Sequence, residues 1–184
     1  FPTPRPTEHP MQPLHLEPIC REIAEDFVAA RHYSEVMPRL TQHYLGCFEG
    51  QRLVGLLTFG WGTRPLHTIQ CLFPTLSTKD YLEIGKMCMD DAMPRNSESR
   101  MLSLGIRWLQ ANTKALFLFT WADGLVGKPG YVYQAANFLY GGHILTDTYV
   151  TEQGEKVHPR TIQGCLESDR ETKCGSRPTP EQLR

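Results

Sequence analysis

The chain has little net charge, no long apolar run and no secretory signal. Its 184 residues carry 19 basic and 20 acidic side chains, which leaves a formal net charge of −1. The chain as a whole therefore does not attract a polyanion, and contact with nucleic acid requires a local basic face. No apolar run reaches the ~18 residues of a membrane span, and the first residues lack a signal-peptide pattern. We expect a cytoplasmic protein without a membrane partner.

Paired cysteine motifs are absent as well. The six cysteines include no C-x-x-C pair, so the spacing of a zinc cage is missing. Several lie in apolar stretches, as Cys47 does between Tyr44 and Phe48. Such a setting indicates buried thiols in a reducing compartment rather than disulfides. The sequence thus identifies no metal ligand and leaves a metal requirement open.

What is present fits a single domain, since domains typically hold about 100–200 residues. Hydrophobic side chains make up 40% of the chain and charged ones 21%, as in ordinary globular proteins. Residues 1–14 hold five of the fourteen prolines, which predicts an extended arm. Residues 167–184 are polar and rich in turn formers, which predicts a loose tail. The folded domain is then expected at 15–166.

The apolar pattern predicts alternating helices and strands. Ile19, Ile23 and Phe27 recur every four residues and predict one face of a first helix. Two apolar runs around Glu49-Gly50-Gln51 predict a β-hairpin. The predicted elements are a helix at 18–31, hairpin strands at 44–48 and 53–59, an irregular stretch at 60–80, a strand at 81–89, a helix at 97–112, a strand at 115–121 buried on both faces, a short helix at 131–139 and closing strands at 144–150 and 157–162. This order predicts an α/β fold with a mixed sheet.

The start of the helix predicted at 97–112 is a candidate anion site. A helix N-terminus presents unpaired N–H groups and a partial positive charge, which suit a pyrophosphate. Asn96 is expected to cap this helix with its side chain. The polar side chains able to bind phosphate oxygens here are Arg95, Asn96, Ser97, Ser99 and Arg100. The alternative is an ordinary capped helix with solvated arginines, which the segment taken alone favours.

Three further segments carry side chains typical of catalysis. Asp123 follows the predicted buried strand, where α/β sheets place their sites, and it is suited to act as a general base. Tyr133 lies on the predicted short helix, and a tyrosine hydroxyl in a cleft can donate a proton. His32 and Tyr33 follow the first helix, and His32 is suited to acid–base work or metal ligation. Each segment also has a purely structural interpretation, which composition alone favours. Asp123 would form a turn, Tyr133 would pack in the core, and His32 and Tyr33 would be a half-buried surface pair.

Taken together, these segments resemble the GNAT fold of CoA-dependent N-acyltransferases. In that fold a strand leads into a phosphate-binding turn and a helix, and a second strand leads into a short helix that bears a tyrosine. The segment 132–138 (VYQAANF) stands in the place of that tyrosine helix. The phosphate-binding turn differs, because Arg95 keeps its first position while Glu98 and Arg100 replace small residues. The resemblance implies a GNAT-like, mostly antiparallel sheet flanked by helices, and a coenzyme A derivative such as acetyl-CoA as cofactor.

The altered turn points to one subfamily. The segments 94–100 (PRNSESR), 121–123 (WAD) and 130–138 (GYVYQAANF), together with Gly141, resemble the Mom family of phage DNA-modification proteins. The segment 32–34 (HYS) adds to this resemblance, which covers about residues 15–165. Mom-like proteins convert adenine in phage DNA to its N6-carbamoylmethyl form, which protects the DNA against restriction. The resemblance therefore implies a phage-encoded, anti-restriction enzyme with DNA as its partner in the host cytoplasm.

The same resemblance implies roles for individual residues. Asp123 and Tyr133 are the expected catalytic positions, with His32 and Tyr33 lining the same cleft. Asp123 would accept a proton from the exocyclic amine of adenine, and Tyr133 would protonate a departing thiolate. The expected cofactor contacts are Cys88, Met89, Arg95, Asn96, Ser97, Ser99 and Arg100.

The adenine amine lies inside the base stack, so a duplex substrate requires base flipping or local opening. Phosphate contacts are expected from a locally positive stretch that contains Arg31, Arg39, His43, Arg52, Arg64 and His67. Two alternatives stay open at this point. One is a GNAT N-acyltransferase acting on another amine, in an aminated pyrimidine of phage DNA, a small molecule or a protein. The other is a binding module that keeps the fold without catalysis.

Overall fold

The computed structural model describes residues 12–32, 35–62, 69–124, 129–143, 149–150, 154 and 156–157. Most of the predicted arm and all of the predicted tail lie outside these residues. The elements are β1 (Leu14–Pro18), α1 (Arg21–Arg31), β2 (Thr41–Glu49), β3 (Arg52–Gly60), α2 (Ile69–Leu72), β4 (Tyr81–Met89), α3 (Ser97–Asn112), β5 (Phe117–Phe119), α4 (Tyr131–Ala135), β6 (Tyr149–Val150) and β7 (Lys156–Val157).

Strands β1 to β5 form one mixed sheet in their chain order, and β6 pairs with β7. The first three pairings in the sheet are antiparallel, and the pairing of β4 with β5 is parallel. The β2–β3 hairpin turns at Gly50, whose φ of +61° favours glycine and whose α-carbon faces the Gln12 side chain. The predicted hairpin and the α/β fold with a mixed, mostly antiparallel sheet are thus confirmed.

Helices cover both faces of the sheet. Consecutive strand residues point to opposite faces. On β3, Leu57 packs in a cluster with Met101 of α3, whereas Leu56 packs in a second cluster with Phe27 of α1. These four side chains are at most 5% exposed, and burying each of them contributes roughly 1.5–3 kcal/mol. Because both faces are covered, β3 is buried continuously from Val54 to Gly60.

Helix α3 has the predicted bounds and the predicted apolar stripe. Leu102 and Leu109 are buried, and Ile106 is half-buried against the same cluster. The helix begins after the turn at 94–96 and ends at Asn112, whose side-chain amide donates to the Trp108 carbonyl. A regular 3.6-residue period over 16 residues is the strongest local signal that a sequence carries.

The predicted face of α1 is partly wrong. Ile23 is 47% exposed, whereas Ala24, Phe27 and Val28 are buried against the sheet. The helix begins at Arg21 rather than at residue 18, so Ile19 precedes it and does not extend its apolar face. Because a helix has 3.6 residues per turn, side chains spaced by four residues move gradually off one face. Contact with the sheet then decides which side of the helix is buried.

Residues 14–18 form β1 at the edge of the described sheet, where no strand was predicted. Residue 14 was expected in the arm and residue 18 in the first helix. Strand β1 pairs antiparallel with β2, with Leu16 opposite Cys47. Pro18 is tolerated because it ends an edge strand and needs no further ladder bond. The hydrogen-bond partners of β1 come from a distant segment, which local propensity does not reveal.

Strand β5 is shorter and more exposed than predicted. A strand buried on both faces was expected at 115–121, but the strand covers only Phe117–Phe119. Leu116 is 75% exposed and Phe117 is 50% exposed. Strand β5 lies at the end of the five-stranded sheet, so among the described strands it has a neighbour on one side only. An uninterrupted apolar run therefore did not indicate a central strand here.

The short helix and the closing strands also differ from the prediction. Helix α4 ends at Ala135 rather than at 139, and Asn137 follows it with a left-handed φ of +64°. Strands β6 and β7 occupy 149–150 and 156–157. The remainder of the predicted closing strands lies outside the described residues.

The position of the candidate site follows from the way β4 and β5 diverge. Their pairing joins Tyr81–Glu83 to Phe117–Phe119 and goes no further. Beyond Glu83, β4 continues to Met89 alongside β3, while the chain after β5 turns toward α4. We call this divergence the β4–β5 fork. Among the described helices, none has the length and apolar character needed to cross a membrane.

Candidate active site at the β4–β5 fork

The end of β5 lies against the start of α4. A methyl group built on Gly130 would lie 3.0 Å from the Ala122 side chain and 3.3 Å from the Tyr133 ring. Gly130 also has a φ of +85°, so both its backbone and its surroundings favour glycine. Asp123 directly follows Ala122. The structure therefore brings the segments that carry Asp123 and Tyr133 together, although ten residues separate them in sequence.

Tyr133 is held by packing and has a protonated hydroxyl. Its ring packs against that of Phe138, with centroids 5.8 Å apart, and against the core on the α3 side of the sheet. Burial raises the pKa of the Tyr133 hydroxyl above its ordinary value of 10.0. The nearby Thr120 hydroxyl lowers this pKa by a smaller amount, although the two groups do not form a well-aligned hydrogen bond. At neutral pH, the Tyr133 hydroxyl thus keeps its proton.

Tyr133 also lies near the start of α3. The carboxylate of Glu98, in the first turn of α3, contributes to the raised pKa of Tyr133. Helix α3 follows β4, and α4 follows β5. The Tyr133 hydroxyl on α4 therefore feels the charge of a side chain in the first turn of α3.

The N-terminus of α3 differs from an ordinary capped helix. Asn96 is the N-cap residue, as predicted, but it has a left-handed φ of 72° and its side chain makes no capping hydrogen bond. Its carbonyl instead accepts from the Ser99 hydroxyl at 3.0 Å and from the Arg100 N–H at 3.1 Å. A side-chain cap needs an extended N-cap backbone, which a left-handed residue does not provide.

The predicted cofactor residues around this helix start differ in burial. Arg95, Asn96 and Arg100 are exposed, and Ser99 is half-buried. Ser97 is 2% exposed, and its buried hydroxyl has no hydrogen-bond partner among the described residues. A buried hydroxyl without a partner costs free energy. Two cationic side chains and a buried hydroxyl therefore lie at one helix start.

Cys88 and Met89 point to opposite faces of β4. Cys88 is 7% exposed and packs with Leu56 in the cluster on the α1 side. Met89 is half-buried against the cluster on the α3 side. Their two side chains therefore do not face the same side of the sheet, and Cys88 has the environment of a core residue.

His32 lines a cleft of about 350 Å³ between the end of α1 and the end of β4. Its backbone N–H donates to the Val28 carbonyl and ends the helix. Among the described residues, the lining of this cleft contains neither Asp123 nor Tyr133. The described residues that line the cleft are Ala29, Ala30, Arg31, His32, Met89, Asp90 and Asp91. Tyr33 lies outside the described residues.

The basic side chains predicted to contact DNA lie in different environments. Arg52 pairs with Glu49 at 3.1 Å. His43 packs edge-on against Trp108, and burial lowers the pKa of His43, which favours its neutral form. Arg52 and His43 are therefore less suited to phosphates than the sequence indicated. Arg31 and Arg39 are exposed, and Arg64 and His67 lie outside the described residues.

Sequence reasoning missed a buried carboxyl at the fork. Glu83 is 2% exposed and is the last β4 residue paired with β5. Its Oε2 accepts a hydrogen bond of 2.9 Å from the Trp121 indole N–H. The sequence did contain a signal for this carboxyl, because a charged residue within a mostly apolar strand is expected to be buried. A buried charged group requires a partner. The same signal marks Lys86, which is also 2% exposed.

Metal ligation has no support in the part of the chain that the structure describes. No group of three or more His, Cys, Asp or Glu side chains there has the arrangement of a metal site.

Residues 13–180 match the family model of the Mom protein family. The chain belongs to the Mom family. A curated Mom relative, methylcarbamoylase mom of Escherichia phage Mu, is 32% identical over 151 residues. This alignment covers 81% of the present chain and 61% of the phage Mu protein. The chain thus spans about three fifths of the length of that relative.

The Mom match confirms the family that the segments 94–100, 121–123 and 130–138 indicate. The matched range runs from the start of β1 past β7 and includes every predicted site residue. The β4–β5 fork therefore lies within the Mom-related part of the chain.

Proposed function

We propose that this Mom-family protein is a transferase that modifies the N6 amine of adenine in phage DNA to its carbamoylmethyl form. The observation that carries the proposal is the family match over 13–180, supported by the identity to a protein named methylcarbamoylase. The β4–β5 fork supports this proposal chemically, because the segment that carries Asp123 lies next to the helix that carries the protonated Tyr133. The modification would protect phage DNA against restriction enzymes.

The roles of the two catalytic candidates follow from their chemistry. The adenine N6 amine is a weak nucleophile, because its lone pair is delocalised into the ring. Asp123 would hydrogen-bond N6 and accept its proton as the new bond forms. Tyr133, which keeps its proton at neutral pH, would donate it to the departing group. In duplex DNA the adenine must first leave the base stack to reach these side chains.

A GNAT-type architecture is part of this proposal. The parallel pairing of β4 and β5, their divergence after Glu83 and the helix that follows each strand support it. A coenzyme A thioester, when bound, would supply an activated acyl group and a thiol that can leave, whereas the N6–CH₂ bond and the amide nitrogen of the carbamoylmethyl product would have to come from a second donor. The residues present fit such a cofactor, because the start of α3 combines the Arg95 and Arg100 guanidiniums with the buried Ser97 hydroxyl, which has no hydrogen-bond partner in the described part of the chain.

Mass spectrometry of nucleosides tests the function directly. DNA from cells that express the protein should contain N6-carbamoylmethyl-deoxyadenosine, and DNA from cells that express Asp123→Asn should not. A modified pyrimidine instead would favour the alternative N-acyltransferase. Unaltered DNA together with undetectable binding of coenzyme A compounds would favour a non-catalytic module and refute the proposal.

A further inference from the structure

Three segments of the chain meet at the carboxyl group of Glu83. Glu83 itself lies on β4, at the last position paired with β5. Trp121, just beyond β5, donates its indole N–H to Glu83 Oε2 at 2.9 Å. Gly62, just beyond β3, packs against the same carboxyl group, so that a methyl group on Gly62 would collide with it. The carboxyl group is therefore held between the end of β3 and the chain that leaves β5.

The segment that leaves β5 needs such a contact. Residues 120–123 belong to no helix or strand, so no regular ladder of backbone hydrogen bonds sets their position. Trp121 is only two residues before Asp123, and it is 37% exposed. The indole N–H is a donor only, and its bond to Glu83 joins residues 38 apart in sequence. This bond ties the second residue of the segment to β4.

On its other side the segment contacts α4. Ala122 lies against Gly130, and Thr120 lies near the Tyr133 hydroxyl. The distance between the catalytic carboxylate and the catalytic hydroxyl thus depends on how firmly residues 120–123 are held. Small displacements matter, since about 1 Å of misplacement can lower a rate about 10²-fold.

We propose that Glu83 is a positioning residue, which acts through Trp121 to fix the Thr120–Asp123 segment and with it the Asp123 carboxylate relative to Tyr133. Glu83 is not required to contact the substrate in this role. The inference rests on the proposed function for its effect on rate, whereas the hydrogen bond itself does not depend on that function.

Four variants test the kinetic effect. Glu83→Gln keeps a side-chain oxygen that can accept from Trp121, whereas Glu83→Leu removes it and Trp121→Phe removes the donor. We expect Glu83→Gln to retain kcat within about threefold, and Glu83→Leu and Trp121→Phe each to lower kcat between about ten- and a hundredfold with KM for DNA unchanged. The double variant Glu83→Leu/Trp121→Phe should be no slower than the slower single variant, because both remove one hydrogen bond.

A second measurement needs neither DNA nor cofactor. In ¹⁵N-labelled protein, the Trp121 indole N–H should exchange slowly with water in the wild type and in Glu83→Gln, and rapidly in Glu83→Leu. The signal is assigned by its absence in Trp121→Phe, and the indoles of Trp61 and Trp108 are internal references. A wild type that leaves DNA unmodified would refute the proposed function, while the indole exchange would still show whether Glu83 holds Trp121.

Three results would overturn the proposal. Equal losses of kcat in Glu83→Gln and Glu83→Leu would show that the charge, not the position, matters. Full activity in Trp121→Phe, which changes a partly exposed side chain and leaves the buried carboxyl in place, would show that the hydrogen bond is dispensable. Unchanged indole exchange in Glu83→Leu, with the melting temperature of this variant confirming that it is folded, would show that Glu83 does not hold the segment.

Discussion

Glu98 on α3 lies close enough to Tyr133 on α4 for its carboxylate to raise the pKa of the tyrosine hydroxyl. Burial acts in the same direction and is the larger cause. Both effects keep the proton on Tyr133, which is the state that a general acid needs before it acts. Glu98 belongs to the first turn of α3, the helix that follows Arg95 and Asn96.

Tyr133→Phe should abolish most of the DNA modification while leaving the fold intact. Loss of a general acid costs about 10²–10⁴-fold in rate, whereas loss of one buried hydroxyl costs roughly 1 kcal/mol of stability. Modified-base yield and melting temperature, measured on the same preparation, separate the two effects. Tyr140→Phe is the matched control, since Tyr140 is 82% exposed. Full activity in Tyr133→Phe would assign Tyr133 a packing role.

Asp123→Asn should lower the modification rate to a similar extent. The amide keeps the size of the carboxylate and loses its ability to accept a proton from N6. Asp26→Asn, on the exposed side of α1, controls for the change in net charge. The measurement is the yield of modified deoxyadenosine per unit of folded protein. Wild-type yield in Asp123→Asn would show that this carboxylate does not act as the base.

Stability at alkaline pH should depend on Tyr133. Its pKa is raised in the folded protein from an ordinary value of 10.0. The unfolded chain therefore releases this proton at lower pH than the folded protein does. The contribution of Tyr133 to stability is complete below about pH 10 and is lost as the pH rises through the raised folded pKa. The free energy of unfolding, measured with denaturant, should therefore fall less between about pH 8 and pH 11 in Tyr133→Phe than in the wild type. Equal decreases in the two proteins would contradict this.

Charge reversal at the start of α3 should weaken the binding of coenzyme A. Arg95→Glu and Arg100→Glu each replace an attraction for phosphate with a repulsion. Arg107→Glu is the matched control, because Arg107 is exposed on the same helix but lies several turns away from its N-terminus. Titration calorimetry should show lower affinity in the first two variants only. Equal affinity in all three variants and the wild type would place the cofactor elsewhere.

Gly62→Ala should destabilise the protein by at least about 1 kcal/mol. Gly62 has a left-handed φ of +76°, and an alanine in this conformation is less stable by about 1–2 kcal/mol. The added methyl group would also collide with the Glu83 carboxyl group. Gly124→Ala is the control, since nothing lies within 4 Å of a methyl group there. Thermal unfolding compares the two variants, and similar melting temperatures would contradict the close packing of Gly62 on Glu83.

Local sequence determined the elements that carry their own periodicity. The turn residues between two apolar runs at Gly50 predict the hairpin, and the helical period predicts α3 from Ser97 to Asn112. The mostly apolar segment from Tyr81 to Met89 predicts β4, although it contains the charged Glu83 and Lys86. The family was recognised from short sequence motifs, because their order and spacing can be read without knowing any tertiary contact. These features depend on residues that are near neighbours in the chain, so a sequence contains all the information they need.

The tertiary structure decided what depends on distant partners. Strand β1 exists because β2 supplies its hydrogen bonds, and α1 buries Ala24 rather than Ile23 because the sheet meets that side of the helix. Phe117 is exposed because its strand lies at the edge of the described sheet. Sequence named Asp123 and Tyr133, but only the fold put Glu98 beside Tyr133 and Trp121 against Glu83. Pairs separated by 35 or 38 residues meet through packing of the whole domain, and no local pattern encodes which side chains will then share a hydrogen bond.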